Sequence, residues 1–356
     1  MSRIAKRGLV IGAILVACVI GIYLLGEIEL LLSWRGVSLL IAAFIAVVGP
    51  ALFAQAQESQ EGLIKEDYHA ARQEAANAAR GQRVIPELTA QERAALLEAL
   101  EGTKLACLRL TTHKRPTTVF ESKFGGAPYL PPGFEYPHNK NKMSERLPLK
   151  LLCQLNFEQL PPLPGFPHRG LLQFYLAFEE CEDTYGADFD HPTKQQSWCV
   201  IYHPNIITDE SQLQAPPKFE HADAFFPIEG EFALEADADF MSMTSIDYRW
   251  ESFITNHLDS MPMGEAIKGK YEVDDLAVLK DEELDFIGHR IGGYPYFTQV
   301  DPRIDKRYRE YSTLLLQIDS EDEIMWGDAG VATFFIKPEA LAQGDFSDVL
   351  YSWDCW

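Results

Sequence analysis

Two basic side chains occupy the same local setting at two places in the chain. Lys123 lies in the segment SKFGGAPYL (122–130) and Arg290 in HRIGGYPYF (289–297), and in both an apolar residue and paired glycines follow the basic residue. Paired glycines permit positive φ and the proline restricts the residue before it, so each segment predicts a tight, stiff turn. The two cations are either solvated or salt-bridged beside these turns, or they form a pair of anion contacts facing a cleft.

Two glutamines interrupt apolar runs at matching places further along. Gln154 lies in KLLCQLN (150–156) and Gln317 in TLLLQID (313–319). Strand alternation places each glutamine on the face opposite to its immediate neighbours, which are Cys153 and Leu155 in the first run and Leu316 and Ile318 in the second. A polar group in such a run needs a partner, and a backbone hydrogen bond is the simplest one. Both glutamines are also candidates for ligand binding.

Aromatic and acidic residues near the C-terminus form a third candidate set. Trp326, Asp328 and Asp354 fit a pocket with aromatic walls and polar anchors, although late tryptophans also close cores. The acidic loops at 179–190 and 319–328 contain oxygen ligands of the kind that Ca²⁺ and Mg²⁺ take, but without EF-hand spacing. Acidic hairpin loops are expected in a chain of this composition, so we predict no metal site.

The sequence contains no catalytic or cofactor motif. It has no nucleophile elbow, phosphate loop, dinucleotide fingerprint or HExxH helix. Its six cysteines include no C-x-x-C pair. We therefore predict no cofactor and assign no catalytic residue.

The matching segments belong to an internal duplication. A third pair of blocks, GLLQFYL (170–176) and GVATFFI (330–336), follows the turn and glutamine blocks in the same order. The number of residues that separates a block from its match decreases slowly along the chain, which shorter loops in the second copy explain. We therefore predict one repeat over about 118–178 and another over about 285–338. Turn, amphipathic strand and buried strand make one unit. Two units are expected to pack about a pseudo-twofold axis, with the candidate residues in the groove between them.

The repeated blocks also carry a resemblance to a known family. Together with IMWGDAG (324–330) and DFSDVLYSWDC (345–355), they resemble the YwqG-like family, a bacterial domain family without an established function. The resemblance extends roughly from residue 105 to the C-terminus. It implies an α+β, mostly β fold that contains the duplication, and it offers no catalytic residues.

The charge of the chain restricts its partners. The formal net charge is −22, although residues 1–54 contain four Lys and Arg against two Glu. The acidic excess therefore lies in the remainder of the chain. A domain of this charge repels phosphate backbones, so we predict no nucleic-acid partner, and its field favours basic proteins.

Two uncharged apolar runs, at 8–25 and 36–54, come before the acidic part. At a rise of about 1.5 Å per residue, each helix spans most of the roughly 30 Å hydrocarbon core. The short connection between them predicts a transmembrane helical hairpin over 1–56. Basic residues before the first run place both termini in the cytoplasm, which predicts a multi-pass inner-membrane protein.

A helical stalk is predicted between the hairpin and the main domain, over 57–102. This segment is rich in Ala, Glu, Gln and Arg, and Thr89 with Glu92 forms a capping box that opens a helix ending at Gly102. Short apolar runs with Pro/Gly turns follow it. Residues 103–356 are therefore predicted to form a β-rich domain.

The preferred function is a membrane-tethered cytoplasmic binding module that captures a protein partner, in the manner of an inhibitor or immunity-type protein. Its grounds are the acidic surface, the tether and the missing catalytic set. Two alternatives stay open. One is a hydrolase-like enzyme that uses loop carboxylates such as Asp188 and Asp190 with His191, with or without a divalent cation. The other is a structural scaffold.

Overall fold

A computed structural model describes residues 88–140, 147–178, 185–219, 226–261, 264–271, 273, 276 and 287–355. The predicted hairpin and the stalk before residue 88 lie outside these residues. Short helices and ten strands make up the described elements. In chain order they are α1 (Ala90–Glu101), β1 (Leu105–Lys114), β2 (Lys123–Gly125), β3 (Lys150–Asn156), β4 (Leu171–Leu176), β5 (Trp198–His203), β6 (Glu231–Met241), α2 (Trp250–Ser260), α3 (Gly264–Lys268), β7 (His289–Gly292), β8 (Thr313–Asp319), β9 (Val331–Ile336), α4 (Pro338–Gln343) and β10 (Val349–Asp354), with 3-10 turns at Glu210–Gln212, Pro302–Ile304 and Lys306–Tyr308.

The strands form one antiparallel sheet in the order β10-β9-β8-β7-β1-β6-β2-β3-β4-β5. The sheet curls until it is nearly closed. The ring of Phe174 on β4 lies 4.9 Å from that of Phe334 on β9, and the Trp198 ring on β5 lies 5.3 Å from that of Tyr351 on β10. All four side chains belong to one buried apolar cluster, so the core lies inside the curl.

The predicted fold class needs two corrections. First, the β-rich domain is not two units packed against each other. Backbone hydrogen bonds through a central pair, β1 and β6, join its halves edge to edge into a single sheet. Second, none of the described helices is long and apolar enough to cross a membrane. This finding contradicts the predicted transmembrane hairpin and the predicted multi-pass inner-membrane location. The runs at 8–25 and 36–54 themselves lie outside the described residues.

The three repeated blocks occupy corresponding places on either side of the central pair. β2, β3 and β4 correspond to β7, β8 and β9, and a fourth strand, β5 or β10, completes what we call the β2 half and the β7 half. The correspondence extends to a bulge. The register shifts between Leu151 and Cys153 on β3, and between Leu314 and Leu316 on β8.

Helix α1 begins and ends where its sequence signals predict. The Thr89 hydroxyl accepts a hydrogen bond from the Glu92 backbone N–H at 3.3 Å, and the Glu92 carboxylate accepts one from the Thr89 N–H at 2.8 Å. Gly102 is the C-terminal cap. The capping box therefore fixes this helix immediately before β1.

The paired glycines end β2 and β7 with left-handed backbone. Gly125 and Gly126 have φ of 64° and 71°, and Gly292 and Gly293 have φ of 70° and 69°. At Gly125 an added Cβ would also lie inside contact distance of the Gly230 carbonyl oxygen. This turn therefore needs glycine both for its conformation and for the close approach of the neighbouring backbone.

Gly125→Ala is expected to lower the free energy of unfolding by about 2–4 kcal/mol, because left-handed strain and a backbone clash add together. Urea denaturation followed by circular dichroism measures this loss. Gly133→Ala is the matched control, since Gly133 has φ of 75° but open space around its Cβ position. The control is expected to lose only about 1–2 kcal/mol. Equal losses in the two variants would show that the approach to Gly230 contributes nothing.

A candidate binding cleft beside the central strands

The two central strands, β1 and β6, occupy equivalent positions, as the β2 half and the β7 half do. On one side of the pair Arg109 of β1 is opposite Arg290 of β7, and on the other side Ala233 of β6 is opposite Lys123 of β2. Lys123 and Arg290 hold equivalent places in the repeated blocks. Arg109 and Ala233 are therefore equivalent too, although β1 and β6 share little beyond strand alternation.

This register identifies two matched positions that differ in chemistry. Three residues along the central strands, Thr112 on β1 corresponds to Ala236 on β6. One residue before the basic side chains, His289 at the start of β7 corresponds to Ser122, just before β2. The β7 half therefore has a hydroxyl and an imidazole where the β2 half has a methyl group and a short hydroxyl.

In the β7 half these side chains form a continuous polar chain. His289 Nδ1 accepts a hydrogen bond from the Asp319 backbone N–H at 3.0 Å, so the imidazole proton is on Nε2. His289 Nε2 lies 3.1 Å from Glu321 Oε1, and Thr112 Oγ1 donates to the same oxygen at 2.5 Å. Burial raises the pKa of Glu321, but the interactions with His289 and Thr112 outweigh it, and the net direction is downward. The Glu321 carboxylate therefore has two side-chain partners, one donated hydrogen bond from Thr112 and a close contact with the His289 imidazole.

In the β2 half the same chain is interrupted. Ser122 Oγ accepts a hydrogen bond from the Asn156 backbone N–H at 2.9 Å. In the β7 half His289 Nδ1 accepts the equivalent bond. Ser122 has no second polar side-chain atom like the imidazole Nε2 that reaches Glu321 in the β7 half. The methyl side chain of Ala236 offers no donor. Glu158, which follows Asn156 by two residues as Glu321 follows Asp319, is exposed. Within the described part of the chain its carboxylate makes no ion pair and accepts no hydrogen bond.

A cleft of about 610 Å³ lies at this interrupted position. We call it the β1–β6 cleft. It opens beside the ends of the central strands, and its lining consists of His113, Arg115, Ser122, Glu158, Gln159, Leu160, Pro161, Ala233, Leu234, Glu235 and Ala236. The lining combines ionisable groups with an apolar wall, which suits a ligand that has a charged end and an apolar stem.

The two basic side chains of the cleft each lie beside an acid. His113 Nε2 lies 3.0 Å from Glu235 Oε2, and Arg115 Nη2 lies 2.6 Å from Glu121 Oε1. The hydrogen bond from Arg115 lowers the pKa of Glu121 to about 2. Of the two lining carboxylates, Glu235 contacts His113, whereas Glu158 makes no ion pair with any described side chain.

The chain was compared with known protein families. The family described as Domain of unknown function (DUF1963) matches residues 122–355. The chain belongs to this family. None of the curated proteins matches the chain. The DUF1963 match begins at Ser122 and includes both halves of the sheet and β6, whereas β1, with His113 and Thr112, lies before it.

The basic pair predicted from the sequence lies inside the DUF1963 domain but does not line the β1–β6 cleft. Lys123 is fully buried, and its Nζ donates to the Thr118 carbonyl oxygen at 2.7 Å. Burial lowers the pKa of Lys123 to about 8. Arg290 is equally buried, and its Nη2 donates to the Ile287 carbonyl oxygen at 2.7 Å.

The predicted glutamines are both fully buried and equivalent. Gln154 Oε1 accepts from the Tyr129 backbone N–H at 2.9 Å, and Gln317 Oε1 accepts from the Tyr296 backbone N–H at 2.7 Å. Each is also the partner in the sheet of its basic residue: Lys123 is opposite Gln154, and Arg290 is opposite Gln317. In both halves the amide therefore bonds the segment that follows the glycine turn.

The C-terminal candidates come close together, away from the cleft. Trp326 is fully buried, and its ring lies 5.1 Å from that of Tyr185, while Asp328 is exposed in the following turn. Asp354 on β10 accepts hydrogen bonds from the backbone N–H groups of Thr298 and Gln299, both at 3.0 Å. Burial raises the pKa of Asp354.

The residues of the enzyme alternative lie in a turn before β5. His191 Nδ1 is 3.4 Å from Asp188 Oδ2, and the Asp188 carboxylate also accepts from the His191 backbone N–H. Asp190 and His191 are exposed. Across the described residues no group of three or more His, Cys, Asp or Glu side chains is arranged to hold a metal ion. Residues 179–184 of the acidic loop lie outside the description.

The cleft residues were not among the candidates drawn from the sequence. A signal was present in one case, since the alignment of SKFGGAPYL with HRIGGYPYF sets Ser122 against His289. The match of Ala236 with Thr112 has no such signal, because it depends on the strand register of β1 and β6.

Proposed function

We propose that the DUF1963 domain is a binding module that captures a partner protein through the β1–β6 cleft. One observation carries the proposal: the cleft of the β2 half lies at the position where, in the β7 half, Thr112 and His289 contact Glu321. An inhibitor or immunity-type role is the form we assign to this capture, because a sequestered partner loses access to its targets. We also place the chain, within its family, beside the YwqG-like proteins that its blocks resemble.

The charge of the chain supports a basic partner. The formal net charge is −22, which attracts a basic protein from a distance and accelerates encounter. Such steering weakens as salt screens the field. Partner capture is therefore expected to decrease with ionic strength.

Filling the cleft tests the proposal. Ala236→Leu places a larger apolar side chain in the cleft lining, so partner recovery by chemical cross-linking in expressing cells is expected to fall about tenfold. Ala238→Leu is the matched control, since Ala238 lies two residues along β6, is exposed and is not part of the lining. Thermal unfolding of both purified variants confirms that they remain folded.

The comparison between the two variants decides the outcome. A partner recovered with the wild type and with Ala238→Leu, and lost with Ala236→Leu, supports capture through the cleft. Equal recovery with all three chains would place the contact elsewhere and end the proposal.

A further inference from the structure

In the β7 half the carboxylate at this position has side-chain partners. The Thr112 hydroxyl donates to Glu321 Oε1 at 2.5 Å, and His289 Nε2 lies 3.1 Å from the same oxygen. Both partners come from neighbouring strands of the same sheet. The β7 half therefore pairs this carboxylate with its own side chains.

The cleft half keeps the carboxylate and loses both partners. Glu158 is the counterpart of Glu321, but Ala236 replaces the threonine and Ser122 replaces the imidazole. His113 and Arg115 lie in the same lining, but they contact Glu235 and Glu121 instead. A ligand that enters the cleft therefore meets a carboxylate that makes no ion pair with any described side chain.

We propose, on the basis of the proposed capture function, that the β1–β6 cleft binds the guanidinium group of an arginine side chain of the partner, with Glu158 as its counterion. A guanidinium presents a planar fork of N–H donors that can take the place of both missing partners together, whereas an ammonium is a single compact charge. The apolar wall of Leu160, Pro161 and Leu234 suits the aliphatic stem of arginine.

The volume of the cleft supports recognition of a peptide segment. About 610 Å³ falls in the range of sites that hold small ligands and exceeds what one arginine side chain fills. Residues that flank the arginine therefore also enter the cleft. Because the domain as a whole is acidic, it favours flanking residues that are themselves basic.

Titration of the purified full chain with fluorescein-labelled hexa-arginine, followed by fluorescence anisotropy at physiological ionic strength, tests this inference. Glu158→Gln keeps the shape of the side chain and removes its charge, so it is expected to weaken binding at least about tenfold. Glu210→Gln is the matched control, because it removes one exposed carboxylate from another part of the surface. It is expected to change binding less than about twofold, as a change in overall field alone would do.

A second variant tests the missing partners directly. Ser122→His with Ala236→Thr places in the β2 half the two side chains that contact the carboxylate in the β7 half, leaving Glu158 in place. Hexa-arginine binding is expected to fall about tenfold although the acidic charge is unchanged. If this double variant does not fold, the Glu158→Gln comparison still decides the question.

Three results would overturn the inference. One is equal binding by the wild type and Glu158→Gln, and another is hexa-lysine binding as tight as hexa-arginine binding. The third is preference for a hexa-glutamate peptide. If partner capture depends on Ala236 but not on Glu158, the guanidinium assignment fails and the capture proposal stands. If capture does not depend on Ala236, both fail.

Discussion

Arg303→Ala is expected to lower the free energy of unfolding by about 3–5 kcal/mol, because it breaks a buried cluster of ion pairs. Arg303 is fully buried, and its Nη2 lies 2.7 Å from Asp301 Oδ2 and 3.1 Å from Asp247 Oδ2. Both carboxylates are buried as well. Removal of the guanidinium leaves Asp301 without its buried cation and weakens the pairing of Asp247.

Contacts with aromatic rings add to this loss. The Arg303 guanidinium lies 4.2 Å from the ring centroid of Phe335 on β9 and 4.9 Å from that of Tyr248. Cation–π contacts of this kind stabilise by about 0.5–2 kcal/mol when desolvated. The side chain therefore joins the segment at 301–303, the segment at 247–249 and the outer face of β9.

The same cluster makes the free energy of unfolding depend on pH. Burial alone would raise the pKa of Asp247, but the hydrogen bond from Arg249 and the charges of Arg303 and Arg249 outweigh it and lower that pKa. A lowered pKa gives stability that is present above the ordinary carboxyl pKa of about 4 and is lost as the pH falls below it. Arg303→Ala is expected to shift acid unfolding to higher pH.

Arg307→Ala is the matched control for this prediction. Arg307 pairs with Asp305 two residues before it, as Arg303 pairs with Asp301, but both partners are on the surface. Urea denaturation should show an unchanged midpoint for Arg307→Ala and a large decrease for Arg303→Ala. Similar midpoints in the two variants would mean that burial of the first pair contributes no stability.

These pairs also show what a single sequence leaves undecided. The pattern Asp-x-Arg occurs at 247–249, 301–303 and 305–307, and in each the Asp side chain accepts from the backbone N–H two residues on. Local sequence therefore predicts the turn. Burial depends on whether a strand packs over the guanidinium, as β9 does at Phe335, and that is a long-range contact.

Much of the sheet could be predicted, because its signals are local. The glycine turns, the glutamine strands and the buried strands were visible as repeated blocks, and their equivalence follows from matching residues in matching order. The central pair could not be found in this way. β1 reads LACLRLTTHK and β6 reads EFALEADADFM, so only backbone pairing makes them equivalent.

The candidate site was less predictable for a related reason. The candidates Lys123, Arg290, Gln154 and Gln317 were visible in the sequence because they hold matching places in the two repeats. The cleft instead arises where the repeats differ, at Ser122 and at positions of the unrecognised central strands. In this duplicated fold, the shared polar residues form hydrogen bonds within the scaffold that both halves have in common. The positions at which the halves differ line the cleft.

Gln154→Leu tests that distinction and is expected to lower the free energy of unfolding by roughly 3–5 kcal/mol. The side chain is fully buried, and its Nε2 donates to the carbonyl oxygens of Val119 and Glu121, both at 2.9 Å. Its Oε1 accepts from the Tyr129 N–H and from Gln173 Nε2, at 2.9 and 2.8 Å. A leucine leaves several partners unsatisfied, and each buried orphan costs about 1–3 kcal/mol.

Gln214→Leu is the matched control, and it completes the test. Gln214 also donates from Nε2 to two backbone carbonyl oxygens, those of Pro131 and Phe134, but it is exposed, so water replaces the lost bonds. Its change is expected to stay within about 0.5 kcal/mol. The opposite outcome is an unchanged urea midpoint for Gln154→Leu together with loss of partner capture. That outcome would mean that Gln154 contacts a ligand and that its amide does not stabilise the fold.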